Sequence, residues 1–279
     1  TAILPMRLNI DALSDLVVLR DGSAAPSIVM TAPTAVFTVT TTVDEDDGNC
    51  GASCSLREAI SAANTSPGTN TINFNIGGGG PAVIRPDSDF GGLPNIENSV
   101  TVNATTQPGF NGQPLIEIKG DLVGEGANGL SVNAANVVVR GFVINQFDSI
   151  VTPENGLIGG TGIAVFNFEG DTFTRFCIIE GNYLGTDRTG TQDLGNDQAG
   201  LLIFDSDNNT VGGSTAAARN VLSGNGEGEN INSQIVGLGL NVVDGSSNVI
   251  YGNYIGTSAN GLSPVGNSAG LGISGMNNQ

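Results

Sequence analysis

The segment Gly-Asn-Tyr-Leu-Gly-Thr at residues 181–186 returns as Gly-Asn-Tyr-Ile-Gly-Thr at residues 252–257, an offset of 71 residues. The likeness continues beyond the two segments, through Gly190 and its counterpart Gly261. Internal repetition of this length indicates an architecture that is built by stacking similar units. The choice of fold therefore starts from this repeat.

Short apolar runs follow one another after residue 65, each bounded by Gly, Asn, Asp or Ser, and helical periodicity is nearly absent there. They include residues 100–102, 116–118, 137–144, 163–166, 176–179, 201–204, 221–222, 235–243, 249–255 and 271–273. The chain has 42 Gly, and Gly and Asn both tolerate the left-handed backbone of tight turns. The pattern predicts many short strands with a turn after each.

Asn and Gly at fixed places in a strand-and-turn repeat favour a parallel β-solenoid, whose stacked coils line up their inward aliphatic side chains. The competing fold is a β-propeller, whose blades repeat at about 40–50 residues and usually carry aromatic signatures. Aromatic residues make up only 5% of this chain. We therefore predict an all-β solenoid and interpret the 71-residue unit as about three coils.

Charge and composition exclude several classes of function. The chain has 27 Asp and Glu against 9 Lys and Arg, a formal net charge of −18, and no His. Without histidine, Ser-His-Asp triads, Cys-His pairs and His-ligated zinc or iron centres are excluded. The acidity argues against nucleic acid as a partner, because phosphate contacts need cations. No apolar run approaches the roughly 20 residues that span a bilayer, so we expect no membrane insertion.

Two N-terminal segments depart from the repeat. Ser55 followed by Glu58 is a capping box, and the apolar face that follows predicts a short amphipathic helix near residues 55–64. At the head of a solenoid, such a helix would cover the exposed first coil. Residues 1–36 predict a β-hairpin, either docked on the solenoid or part of a neighbouring module. We expect the solenoid to occupy residues 37–279 and to continue beyond the last residue.

The region that runs from Val43 through Cys50 to the Cys-Ser-Leu-Arg-Glu-Ala sequence at residues 54–59 resembles the CSLREA motif. That motif opens right-handed parallel β-helix modules in exported proteins of bacteria. The Gly-Asn-Tyr-Leu/Ile-Gly-Thr repeats, and Asn-Asn-Thr-Val-Gly-Gly at residues 208–213, resemble the coils of the same family. The resemblance implies a right-handed parallel β-helix with a short N-terminal capping helix, located outside the cell or on the cell surface. It implies a fold and a location more than an activity.

Cys50 and Cys54 lie close together in a chain that resembles exported proteins. With no histidine and no second cysteine pair, a zinc site is poorly supported, and a disulfide between the two is the favoured interpretation. Cys177 stands in an apolar run and is interpreted as a small buried hydrophobic residue.

Asp44, Asp46 and Asp47 form an acidic cluster just before these cysteines, and two interpretations of it stay open. Calcium prefers oxygen ligands, and Gly48 would allow the turn of a binding loop. The other interpretation, which we favour, is a solvated acidic loop, because adjacent side chains do not all converge on one ion. Calcium is the only cofactor that the sequence suggests.

These features favour a structural or adhesive module, without catalytic residues, of a bacterial surface protein or filament. Its partners would be a carbohydrate, a cell surface or, by end-to-end stacking, another copy of itself. The alternative is a polysaccharide lyase, hydrolase or epimerase, or a carbohydrate-binding module, on the same fold. The residues available to such an enzyme, whose convergence the spacing does not show, are Lys119, Arg140, Arg175, Arg188, Asp187, Asp193, Asp197, Asp205 and Asp207.

Overall fold

The chain forms an all-β parallel solenoid of about six turns. The computed structural model describes residues 2–6, 15–23, 25–29, 34–152, 156–167, 174–226 and 236–279. Three parallel sheets run along the solenoid, and successive coils contribute successive strands to each sheet. The predicted fold class is therefore confirmed.

The strands of the three sheets are short, as the spacing of the apolar runs predicts. The first sheet contains Val36–Val39, Asn70–Phe74, Val100–Asn103, Val138–Arg140, Ile178–Glu180, Thr210–Gly212 and Val249–Tyr251. The second contains Ala82–Ile84, Ile116–Lys119, Phe142–Asn145, Tyr183–Leu184, Val221–Leu222 and Tyr254–Ile255. The third contains Leu130–Val132, Thr161–Phe166, Ala199–Phe204, Leu238–Val243 and Ala269–Ile273.

The interior consists of aliphatic side chains that recur at the same register position in successive coils. In the third sheet, one such column contains Val132, Val165, Ile203 and Val242, none of them more than 1% exposed. Burying a side chain of this size contributes about 1.5–3 kcal/mol. Because side chains alternate along a strand, the neighbouring positions face outward and form the surface of the sheet.

Ladders of asparagine side chains occupy the three corners of the solenoid. At the corner before the second sheet, Asn182 Oδ1 accepts a hydrogen bond from the Phe142 N–H at 3.0 Å. In the next coils, Asn220 Oδ1 accepts from the Asn182 N–H at 3.0 Å, and Asn253 Oδ1 accepts from the Asn220 N–H at 3.2 Å. The other two ladders follow the same rule and consist of Asn209, Asn248 and Asn278, and of Asn196, Asn225 and Asn267.

Most ladder carboxamides also donate to the preceding coil, whereas Asn209 Nδ2 donates to Ser206 Oγ at 2.9 Å. Asn220 Nδ2 lies 2.8 Å from the Ile179 carbonyl oxygen, and Asn182 Nδ2 lies 3.0 Å from that of Val139. Asn182 and Asn220 are fully buried. Because a buried polar group without a partner costs about 1–3 kcal/mol, the ladders oppose any slip between coils. Gly185 is required at one corner, since its φ is +95° and a Cβ there would collide with a ladder side chain.

The interpretation of the 71-residue unit as three coils is wrong, because the unit spans two. The equivalent strands Tyr183–Leu184 and Tyr254–Ile255 both lie in the second sheet, and only Val221–Leu222 lies between them. The segments around Asn220 and Asn248 resemble each other in sequence but lie at different corners, since Asn220 precedes the second sheet and Asn248 the first. Asn followed by two apolar residues therefore occurs both before the first sheet, at Asn248, and before the second, at Asn182, Asn220 and Asn253.

The helix Leu56–Thr65 caps the first coil, as predicted. Ser55 Oγ accepts a hydrogen bond from the Glu58 N–H at 3.1 Å, and Glu58 Oε2 accepts one from the Ser55 N–H at 2.8 Å. The side chains of Leu56, Ala59 and Ile60 are at most 1% exposed and belong to the same core as the first coils. The helix therefore closes the N-terminal end of the hydrophobic interior.

Residues before the solenoid form a separate antiparallel sheet of three strands, Ala2–Met6, Asp15–Leu19 and Ser27–Val29. Within the segment for which a hairpin is predicted, residues 1, 7–14, 24 and 30–33 lie outside the described part of the chain. A second antiparallel pair, Ser149–Thr152 with Gly156–Gly159, is inserted between the second and third sheets. Among the described residues, no helix has the length and apolar character to cross a membrane.

Candidate functional site

The acidic loop before the helix is tied to an arginine. Asp44 accepts hydrogen bonds from Arg57 Nε at 2.9 Å and from Arg57 Nη2 at 2.8 Å. The two side chains are only 3% and 6% exposed. Asp44 Oδ2 also accepts the Asp87 N–H at 2.8 Å. Asp47 Oδ1 accepts the Asn49 N–H at 2.9 Å, and Asp46 is exposed.

A calcium site at Asp44, Asp46 and Asp47 stays a prediction. Within the described ranges, no three acidic, cysteine or histidine side chains are grouped so that they could hold a metal ion. The Asp44 carboxylate neutralises a buried guanidinium, and a divalent cation at the same oxygens would compete with Arg57. Any calcium would therefore have to be held mainly by the exposed part of the loop.

Arg57 is a residue that the sequence reasoning missed. Its Nη1 donates to the Gly92 carbonyl and its Nη2 to the Gly91 carbonyl, both at 2.9 Å. Its guanidinium carbon lies 5.3 Å from the centroid of the Phe90 ring. Arg57 thus fastens the loop at residues 90–92 to the capping helix. An arginine in the first turn of a helix with an apolar face was the signal available in the sequence.

The predicted disulfide between Cys50 and Cys54 is present. Cys54 is fully buried, its N–H donates to Thr40 Oγ1 at 3.0 Å, and its carbonyl accepts the Thr40 N–H at 2.9 Å. The cross-link therefore holds the acidic loop against the end of the first solenoid strand, next to the helix N-terminus.

An open groove of about 980 Å³ runs along the outer face of the third sheet. Its floor includes two rows of outward side chains, each row following the register of the parallel strands. One row contains Ala164, Leu202 and Asn241, and the other contains Phe166, Phe204 and Val243. Phe204 is 44% exposed. The walls include Gly91 and Gly92 at one end and Ile158 of the inserted antiparallel pair.

Carboxamide side chains supply most of the polar groups of this groove. They belong to Asn95, Asn128, Asn167, Gln198 and Asn241. Within the described part of the chain, the Asn167 Oδ1 is buried without a hydrogen-bond partner. Gln198 Oε1 accepts a hydrogen bond from Thr161 Oγ1 at 2.9 Å, which fixes one of these groups. The groove therefore combines an apolar floor with unused donors and acceptors.

Three carboxylates adjoin one edge of the groove. Glu125 lines it, the Asp148 carboxyl interacts electrostatically with Glu125 and Asp197, and Asp197 Oδ2 accepts the Ser149 N–H at 3.1 Å. Partial burial raises the pKa of the Asp148 carboxyl above its ordinary value, and the charges of Asp197 and Glu125 raise it further. A carboxyl whose pKa is raised by burial and by neighbouring carboxylates is a pattern that also occurs in glycoside hydrolases.

The structure does not bring the proposed lyase or hydrolase residues together at one place. Lys119 pairs with Asp121 at 3.0 Å and Arg140 pairs with Glu180 at 3.5 Å, both away from the groove. Of the candidate acids, Asp197 adjoins the groove.

Asp187, another of those candidate acids, caps a turn. Its Oδ1 accepts the N–H groups of Thr191 at 3.0 Å and Gln192 at 2.9 Å. Burial alone would raise the pKa of Asp187, but these hydrogen bonds and one from the Thr189 hydroxyl hold it below its ordinary value. The role of Asp187 is therefore to hold this turn, and its position gives no reason to assign it a catalytic role.

No protein-family model matches this chain, and a search of the curated proteins finds no match.

Proposed function

We propose that this chain is a rigid, non-catalytic structural or adhesive module of a bacterial exported or cell-surface protein. The observation that carries the proposal is the set of asparagine ladders at the three corners. Each ladder carboxamide bonds to the backbone of the preceding coil, so that one coil cannot slide or tilt alone without leaving buried polar groups unsatisfied. Such coupling suits a rod that holds its length under load.

An exported location is supported by the disulfide and by the resemblance to CSLREA-motif proteins. Disulfides form and persist mainly in oxidising compartments, and the Cys50–Cys54 bond ties the loop to the capping helix. The net charge of −18 would keep a protein of this kind soluble and would repel anionic surfaces.

Self-association through the C-terminal coil is part of the same proposal. Leu271 and Ile273 occupy the register positions of Leu240 and Val242, which are fully or almost fully buried one coil earlier. In the last coil these two side chains are 48% and 47% exposed. A following coil or a second copy of the chain, stacked in the same register, would bury them. Light scattering over a range of protein concentrations, with Leu271→Asp as the comparison, tests this contact.

The mechanical role is tested by stretching the protein between two marker domains in a force spectrometer. We expect the wild-type solenoid to unfold at a clearly higher force than its Asn220→Ala variant, because the substitution breaks a ladder in the middle. An unfolding force close to zero for the wild-type protein would contradict a load-bearing role.

The location is tested by fractionation of the cells that produce the protein, with an antibody against the solenoid. We expect the protein in the medium or at the cell surface, with Cys50 and Cys54 oxidised. Detection only in the cytoplasm, with both thiols reduced, would contradict the proposal.

A polysaccharide hydrolase is the second candidate, and the carboxylates at the edge of the groove favour it. Asp148 would be the general acid, because burial and nearby charges raise its pKa, and Asp197 or Glu125 would be the second carboxylate. The test is the release of reducing ends from neutral polysaccharides and from polygalacturonate. Turnover that Asp148→Asn abolishes, and that Asp244→Asn leaves unchanged, would establish the enzyme and overturn the non-catalytic proposal.

A further inference from the structure

We infer that the groove on the outer face of the third sheet binds a neutral, linear polysaccharide. The inference rests on the proposed adhesive function and gives that function a site and a class of ligand. It comes from the shape of the groove, the chemistry of its floor and walls, and its charge.

The groove is long in the direction of the solenoid axis. Its floor extends from Ser131 in one coil to Gly272 four strands later. At about 4.8 Å between neighbouring strands, this distance is roughly 19 Å. A groove of such length, open to solvent, fits an extended chain better than a single compact molecule.

The floor offers flat apolar surface for the faces of sugar rings. Phe166, Phe204 and Val243 lie side by side in three neighbouring strands, and Leu202 lies in the adjoining row. The face of an aromatic ring carries partial negative charge, which attracts the weakly positive C–H groups on one side of a sugar ring. Phe204 is 44% exposed, so part of its side chain is accessible for such a contact.

The polar groups of the groove match hydroxyl groups. A carboxamide both donates and accepts, as a sugar hydroxyl does, so each of the two can satisfy the other. Within the described part of the chain, the side chains of Asn95 and Asn241 make no hydrogen bond, and the buried Asn167 Oδ1 has no partner. Their hydrogen-bonding capacity is free for a ligand.

The charge of the groove selects against anionic chains. No lysine or arginine is among the described residues that line it, and Glu125 lines one edge with Asp148 and Asp197 close by. A polyuronate or a nucleic acid would meet repulsion there without any compensating cation. A polypeptide in β-strand form adds to a strand edge, whereas most of this floor is a sheet face whose inner strands are paired on both sides.

Affinity electrophoresis in gels that contain a soluble β-glucan, xylan, galactomannan or polygalacturonate tests the inference, followed by calorimetry with the corresponding hexasaccharides. We expect at least one neutral polysaccharide to retard the protein, and polygalacturonate to have no effect. Phe204→Ala and Asn241→Leu should each weaken binding about tenfold or more, as loss of an aromatic or polar anchor does.

Tyr251→Ala is the matched control, since Tyr251 is 45% exposed on a different sheet. We expect it to bind within about twofold of the wild-type protein, because substitutions outside an interface core have little effect. Circular dichroism must show that all three variants are folded.

The inference would be overturned if no neutral polysaccharide bound, or if polygalacturonate bound in preference. It would also be overturned if Phe204→Ala and Asn241→Leu both bound like the wild type. The same holds if an unfolded polypeptide, for which reduced casein is the probe, or a second copy of the chain occupied the groove and this binding were lost in Phe204→Ala. These results would not bear on the proposed structural role of the solenoid or on its exported location. Conversely, a cytoplasmic or mechanically weak protein that still bound a neutral polysaccharide would contradict the proposed function alone.

Discussion

Arg57 and Asp44 form a two-fold hydrogen-bonded ion pair that is almost completely shielded from water, with Nε–Oδ1 at 2.9 Å and Nη2–Oδ2 at 2.8 Å. The remaining donors of Arg57 bond to the carbonyls of Gly91 and Gly92, which also form one end of the groove on the third sheet. One buried guanidinium therefore joins the capping helix, the acidic loop and a wall of the candidate binding site.

Replacing Arg57 with methionine should destabilise the protein by about 3–5 kcal/mol, because the Asp44 carboxylate would remain buried without a cation. The measurement is the free energy of unfolding from urea titrations followed by circular dichroism. Arg85→Met is the control, since Arg85 is 41% exposed in its pair with Asp121, and exposed pairs contribute about 0–1 kcal/mol. Equal losses for the two variants would contradict the structural role of Arg57.

Asn220→Ala should cost about 2–4 kcal/mol, because it leaves the Asn182 N–H and the Ile179 carbonyl without their partners in a buried corner. Urea unfolding again gives the free energy. Asn111→Ala is the matched control, since Asn111 is exposed on the surface. If both variants unfold at the same urea concentration, the ladders do not hold the coils together.

The stability of the protein should fall in alkali partly through Cys177. Burial raises the pKa of this thiol to about 11, and a hydrogen bond with the Val137 backbone offsets a little of the rise. The raised pKa means that the folded protein keeps its proton while the unfolded chain loses it above its ordinary pKa of 9.0. The contribution is therefore fully present below pH 9 and is lost as the pH rises toward 11.

The measurement is the free energy of unfolding at pH 8 and pH 10 for the wild type and for Cys177→Ala. We expect the wild type to lose more stability than the variant over this range. Native Cys177 should also stay unreactive toward a thiol reagent at pH 8 and react once the chain is unfolded in urea. Rapid reaction in the native protein would contradict the burial of this side chain.

The calcium prediction is tested by melting the protein with calcium and with a chelator. Because Asp44 is already bonded to Arg57, we expect calcium to change the Tm by less than about 1 °C, whereas a metal bound only to the folded state raises it. A larger rise that disappears in Asp46→Asn and Asp47→Asn would establish a calcium site in the exposed part of the loop.

The repeat was enough to predict the solenoid, and the capping box was enough to predict the helix at Leu56–Thr65. The capping box is a local signal, and the repeat can be read along the sequence because each copy carries its motif within a few neighbouring positions. The predicted number of coils in the repeat was wrong, because similar segments can lie at different corners, as those around Asn220 and Asn248 do. Periodicity alone does not say which corner a motif occupies.

The groove could not be predicted, because its floor is assembled across coils. Phe166, Phe204 and Val243 become neighbours only through the strand register, and each is separated from the next by more than 30 residues of chain. Arg57 was missed for a related reason, since its carbonyl partners Gly91 and Gly92 belong to a distant loop without any motif of its own.

The ladders have a direction, because every Oδ1 accepts from the N–H of the coil before it. During synthesis from the N-terminus, the backbone N–H of Asn182 has no Asn220 Oδ1 to bond to until Asn220 has left the ribosome. Each turn can therefore complete its corner hydrogen bonds only after the next turn has been made. Substitution of one ladder asparagine therefore removes the hydrogen-bond acceptor of an N–H group in the preceding turn.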